Sequence, residues 1–177
     1  MLIEIGFGGG SDVFELGTAN DIILFFECIE YYVVPKYPER DWILITDRFY
    51  RRYLRLEELD TAEELIKLIE EEFKQYANEA IDITTIRLGK IKSCLNIDGN
   101  TLFDIFNRYF KAFYECVESA KLSYENFGSP SKDEYLPVMI CITTIPYLIS
   151  YKQIPLTVFD DLESDEEPIW LSGKIPT

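Results

Sequence analysis

The chain has 177 residues, 47% hydrophobic and 15% aromatic, with 12 Tyr and 12 Phe. This composition supplies a sizeable core for one domain over residues 1–177 and excludes an acidic disordered tail. Its 32 Asp and Glu outnumber 17 Lys and Arg for a formal charge of −15, and it has no histidine, which favours basic partners over nucleic acid or anionic membrane and excludes His-dependent triads and His-containing metal sites.

Met1 leads into Leu2-Ile3-Glu4-Ile5 without a basic segment followed by an apolar one, and no run of about 18 apolar residues follows, so a cytoplasmic location is expected. The opening LIEIGFGGGSD reads as a short strand running into a loop at Gly8, Gly9 and Gly10. From Ile22 to Val34 the chain is almost wholly apolar, and on a helix Asn20, Glu27 and Glu30 would form one narrow polar stripe with Asn20 as N-cap. We read a buried helix there, although so apolar a run also suits a strand.

Pro35 and Pro38 set a turn, after which Trp42–Thr46 (WILIT) reads as a buried strand, with RRYLRLEEL a second strand-like piece to pair with it. Asp60 and Glu63 have capping-box spacing, and Leu65, Leu68, Ile69, Phe73 and Tyr76 follow at helical intervals. Glu63 with Lys67 and Glu70 with Lys74 add favourable four-residue pairs. Ala80–Leu88 suits a strand, and Ile97-Asp98-Gly99-Asn100 a turn into a second long helix whose buried face is Leu102, Phe106, Tyr109, Phe110, Phe113 and Val117, ending near Gly128 and Pro130. Pro137–Ile145 is rich in β-formers. The expected fold is α+β, a single compact domain with a mainly antiparallel sheet packed against two or three long helices.

Four features carry candidate chemistry. IEIGFGGG resembles the first motif of adenosylmethionine-dependent methyltransferases; Gly6, Gly8 and Gly10 would cradle the cofactor, with Glu4 and Glu27 nearby. Ser11 replaces the last glycine of GxGxxG and no later catalytic motif follows, so a turn is the simpler reading and no cofactor is expected. Cys28, Cys94, Cys116 and Cys141 contain no CxxC pair, which points to buried thiols rather than a metal site. Arg48, Arg51, Arg52 and Arg55, interleaved with Phe49, Tyr50 and Tyr53, suit internal ion pairing in so acidic a chain; the other reading is a grip on phosphates and bases.

The fourth feature is acidic. Asp160, Asp161, Glu163, Asp165, Glu166 and Glu167 form one dense run, and Glu57, Glu58, Asp60, Glu63, Glu64, Glu70, Glu71 and Glu72 form another. Each is either a solvated face or a surface matched to Lys and Arg on a partner, and their spacing does not suit a calcium loop. Trp170, just after the first run, reads as a core plug holding the tail down.

Three stretches, DRFYRRYLRLEELDTAEELIKLIEEEF (Asp47–Phe73), TTIPYLI (Thr143–Ile149) and IPLTVFDDLESDEEPIWL (Ile154–Leu171), resemble immunity proteins of bacterial contact-dependent growth inhibition systems. The resemblance implies a cytoplasmic, non-catalytic protein that neutralises the C-terminal domain of a cognate toxin, often a basic nuclease, by stoichiometric occlusion. On that reading the partner-binding residues are Glu63, Glu64, Glu70, Glu71, Asp160, Asp161, Glu163, Asp165, Glu166 and Glu167. The alternatives are a small methyltransferase built on the glycines, or an acidic DNA mimic that inhibits a DNA-binding enzyme.

Overall fold

A computed structural model describes residues 5–81, 94–127, 140–144, 161–163 and 165–172. Strands β1 (Ile5–Gly9), β2 (Asp12–Gly17) and β3 (Ile140–Thr144) form a three-stranded sheet in the order β2-β1-β3, both pairings antiparallel. Helices α1 (Ala19–Tyr32), α2 (Leu59–Phe73) and α3 (Leu102–Phe127) accompany it, with a short α4 (Ile169–Ser172) near the end. The fold is α+β.

The glycine run is not the loop expected from the sequence. Gly6, Gly8 and Gly9 lie within β1, and only Gly10 and Ser11 make the turn to β2. Gly10 has φ +58°, the positive value required at the first central position of a type II′ hairpin. The glycines also set how closely the hairpin lies on α3. A Cβ on Gly9 would stand 2.7 Å from the Cys116 carbonyl oxygen, and one on Gly10 would stand 2.4 Å from that of Ser119. The Ser11 amide donates to Ser119 Oγ at 3.2 Å, fixing the same contact.

Two helices start on the same device. Thr18 Oγ1 accepts from the Asp21 amide while Asp21 Oδ2 accepts from the Thr18 amide, at 3.3 and 3.0 Å. At α3, Thr101 Oγ1 and the Asp104 carboxylate exchange the equivalent bonds at 3.1 and 3.0 Å. These reciprocal caps satisfy amide donors that a helix start leaves open. Thr18, not Asn20, is therefore the N-cap of α1. Asn20, Glu27 and Glu30 are exposed on it, while Ile22, Phe25, Phe26, Cys28 and Ile29 are buried.

The expected strand at WILIT is absent. Leu44–Phe49 is a π-helical turn continuing through Tyr50; Trp42 just before it and Ile45 and Phe49 within it, spaced by three and four residues, are buried together with Leu44, while Ile43 is 64% exposed. Those intervals of three and four residues are helical, and the apolar run of Trp42–Ile45 alone does not reveal them. The Trp42 indole donates to the Tyr37 carbonyl at 2.7 Å, and the Trp42 carbonyl takes the Thr46 amide at 2.8 Å and its hydroxyl at 3.0 Å. RRYLRLEEL is likewise not a strand; it ends this helical turn, passes through an extended Arg55 and enters a 3₁₀ turn at Leu56–Glu58. Asp60 and Glu63 form no capping box either. Glu58 accepts the Arg55 amide at 2.7 Å ahead of α2, and Asp60 already lies inside the helix.

The core contains an extended cluster of aromatic rings. Phe25 of α1 packs against Phe7 of β1, Phe73 of α2, and Phe106, Tyr109 and Phe110 of α3, with ring centroids 4.9 to 6.5 Å apart. The Tyr109 hydroxyl, buried among them, donates to the Leu16 carbonyl at 3.2 Å, as a buried phenol must. The expected buried face of α3, from Leu102 to Val117, is the one observed. Asn78–Ala80 is a 3₁₀ turn where the Ala80–Leu88 strand was expected to start, and residues 82–88 lie outside the described set, as do Gly128, Pro130, 137–139 and Ile145.

Candidate functional site

The two acidic runs differ in what surrounds them. On α2, Glu63 lies 3.1 Å from Lys67, and Lys121 of α3 reaches Asp60 at 2.7 Å and Glu63 at 3.5 Å. Glu70 and Glu71 share Lys74 at 3.3 and 2.6 Å, and Glu70 also accepts the Tyr114 hydroxyl at 2.7 Å. Glu58 lies 3.4 Å from Arg48. Lys67, Lys74, Lys121 and Arg48 thus offset part of the charge of the α2 run, and Glu57 and Glu64 are its members without an ion pair among the described residues.

Glu72 does not belong to that surface. Its side chain is 7% exposed, paired with Lys36 at 2.6 Å and accepting the Tyr37 hydroxyl at 2.6 Å. The Lys36 hydrogen bond, followed by that from Tyr37, holds its carboxyl below the ordinary 4.5 even though burial opposes this. A carboxyl lowered in the folded state stabilises fully above its unfolded value and loses that contribution as pH falls through the folded one. We expect the urea midpoints of the wild-type protein and Glu72→Gln to be furthest apart above pH 4.5 and to converge below it. Curves that stay parallel through that range would remove Glu72 from the acid response.

The run at 161–167 carries no such compensation. Asp161, Glu163, Asp165, Glu166 and Glu167 are exposed, and none forms an ion pair among the described residues. Asp160 lies outside the described set. The arginine-rich stretch holds this run by its main chain. Arg51, itself 3.2 Å from Asp47, donates to the carbonyls of Glu163 and Glu166, and Arg52 donates to that of Leu162 at 2.6 Å. The Glu163 amide is closed onto Glu166 Oε2 at 3.1 Å. Trp170, 3% exposed, donates its indole N–H to the Tyr50 carbonyl at 2.7 Å, and the two rings meet edge to face at 5.5 Å. The arginines therefore position the acidic segment by its backbone; Glu166 also accepts the Glu163 amide, and the carboxylate side chains of Asp161, Glu163, Asp165 and Glu167 are exposed.

Tyr50 connects this segment to α1. Its ring lies 4.8 Å from that of Phe26, and burial raises its phenol, assisted by the nearby charges of Glu30, Glu27 and Glu167 against the opposing effect of Arg51. Glu27 and Glu30 are exposed and unpaired among the described residues. The acidic surface is accordingly built from two elements, the tail segment and the polar stripe of α1. Glu27 and Glu30 are isolated charges on the otherwise apolar stretch Ile22–Tyr32 of α1.

The glycine run offers no comparable site. A nucleotide-type glycine motif needs a strand that turns into a helix N-terminus, whereas β1 turns back through Gly10 into β2 and the space beside Gly9 and Gly10 is filled by α3 backbone. Glu4 lies outside the described residues, and Glu27 is on the exposed face of α1. Cys28 and Cys116 are buried and Cys94 is half-buried; desolvation, then the Glu27 charge, pushes the Cys28 thiol up to about 12. Among the described residues, no group of three or more Cys, Asp or Glu is placed to hold a metal ion, and no helix is long and apolar enough to cross a membrane.

Compared with known proteins, this chain matches no family model, no curated protein and no solved structure.

Proposed function

We propose that this chain is a stoichiometric inhibitor, an immunity protein that occludes a basic toxin domain of the nuclease class. The observation that carries the reading is the segment 161–167, whose described carboxylates form no ion pair among the described residues while Arg51 and Arg52 bond its backbone carbonyls. Like charges so close gain nothing for folding, but a pre-arranged set pays little ordering entropy on meeting Lys and Arg. Long-range attraction from a body of −15 raises the encounter rate with a cationic domain. Such a mechanism needs neither cofactor nor turnover. The resemblance of Asp47–Phe73 and Ile154–Leu171 to immunity proteins adds support because those stretches contain both the arginine clamp and the segment it holds.

The test is calorimetry against the C-terminal domain encoded immediately upstream of this gene, at low and high salt. One-to-one binding in the nanomolar range, weakening as salt rises, is the expected result. No binding at either salt would remove the immunity reading and leave a DNA mimic with another target as the reading to test.

A further inference from the structure

Beside the acidic surface, α1 and the 3₁₀ turn at Asn78–Ala80 enclose an open groove of about 640 Å³ lined by Leu24, Glu27, Cys28, Glu30, Tyr31, Tyr32, Ala80 and Ile81. That volume is within the range of about 300–1,000 Å³ typical of ligand sites. Tyr31 is 75% exposed, the most exposed of the large apolar side chains among the described residues. A single exposed aromatic is ordinary on any surface, but this one is held in place. Its ring meets that of Tyr32 edge to face at 4.8 Å, and Tyr32 is fixed by its hydroxyl donating to the Ala80 carbonyl at 2.7 Å and by the Tyr76 ring at 4.6 Å.

Glu27 and Glu30 stand three residues apart on the exposed side of the same helix, so they are neighbours on its surface. A tyrosine face braced against Tyr32 beside two carboxylates without an ion pair among the described residues matches a guanidinium, which stacks on an aromatic ring while its planar fork bonds carboxylate oxygens. An ammonium carries the charge but not the plane, and an anion would meet repulsion from both glutamates.

We infer that this groove receives an arginine-bearing segment of the basic partner, with the guanidinium over Tyr31 and bonded to Glu27 and Glu30. The inference rests on the proposed basic partner, which it deepens by naming the chemistry that one part of the interface recognises; its test does not require that partner. The probe is N-acetyl-L-arginine methylamide, titrated into the isotopically labelled protein and followed by amide NMR. The neutral citrulline analogue serves as control.

Saturable shifts at residues 24–32 and 80–81 are expected with the arginine probe and not with citrulline. Glu27→Gln with Glu30→Gln, and separately Tyr31→Ala, should each weaken the arginine response about fivefold or more. Those positions are exposed, so the folded spectrum is retained. Shifts confined to 161–167, equal responses to arginine and citrulline, or no shifts at 24–32 would each overturn the groove. The upstream-domain calorimetry reads the immunity proposal separately, so either idea can fail while the other stands.

Discussion

Replacing Phe25 with alanine is expected to destabilise the protein by about 3–5 kcal/mol. Phe25 is 1% exposed and its ring touches those of Phe7, Phe26, Phe73, Phe106, Tyr109 and Phe110. Those rings belong to β1 and to helices α1, α2 and α3 rather than to one local unit, so the cavity cannot close by one side chain shifting. Edge-to-face pairs also contribute about 0.5–1.5 kcal/mol each beyond area burial, and truncation removes several together. Against a total stability of about 5–15 kcal/mol for a typical domain, the variant should remain folded but lie close to its transition. Urea denaturation measures this, with a lower midpoint and an unchanged slope expected. Leu122→Ala, at a site 51% exposed, is the control and should shift stability by less than about 0.5 kcal/mol. A loss under about 1 kcal/mol for Phe25→Ala would mean that this ring is not the junction of the core.

Neutralising the tail segment should cost the proposed complex about a hundredfold or more in affinity, chiefly through slower association. The variant converts Asp161 and Asp165 to Asn and Glu163, Glu166 and Glu167 to Gln, and binding is read against the upstream-encoded domain. All five side chains are exposed, and the bonds holding the segment to Arg51 and Arg52 go to its carbonyls, so its backbone should keep its place. The matched variant changes Glu63, Glu64, Glu70 and Glu71 to Gln on α2. Three of these are engaged by Lys67, Lys74 or Lys121, and their charge is already offset within the protein. We expect that second variant to bind within about threefold of wild type, with a small stability loss from the broken pairs. Equal losses from both variants would show that net charge alone drives binding, and a loss confined to α2 would move the interface there.

Much of the local architecture was readable from residue patterns, because the forces that set it act over a few residues. The stripe of Asn20, Glu27 and Glu30, the apolar face of α3 and the Glu63–Lys67 and Glu70–Lys74 pairs all follow from helical periodicity and are present. Both reciprocal caps were also visible in principle, as Thr18 to Asp21 and Thr101 to Asp104 with identical spacing. WILIT misled because its first four residues are all apolar and display no period; a helical spacing emerges only when Phe49 is added to Trp42 and Ile45.

Charge was legible as a total and as two runs along the chain, and helix-forming segments were legible as such. Which carboxylates are left for a partner was not, since it depends on cations distant in sequence: Lys121 lies 61 residues from Asp60, and Arg51 lies 112 from Glu163. Folding brings Lys121 onto α2 and offsets part of its charge, while it brings Arg51 and Arg52 under carbonyl oxygens and leaves the tail carboxylates without an ion pair among the described residues. Coulombic interaction depends on distance in space, so two runs that look alike in the sequence reach the surface with different degrees of internal charge pairing among the described residues.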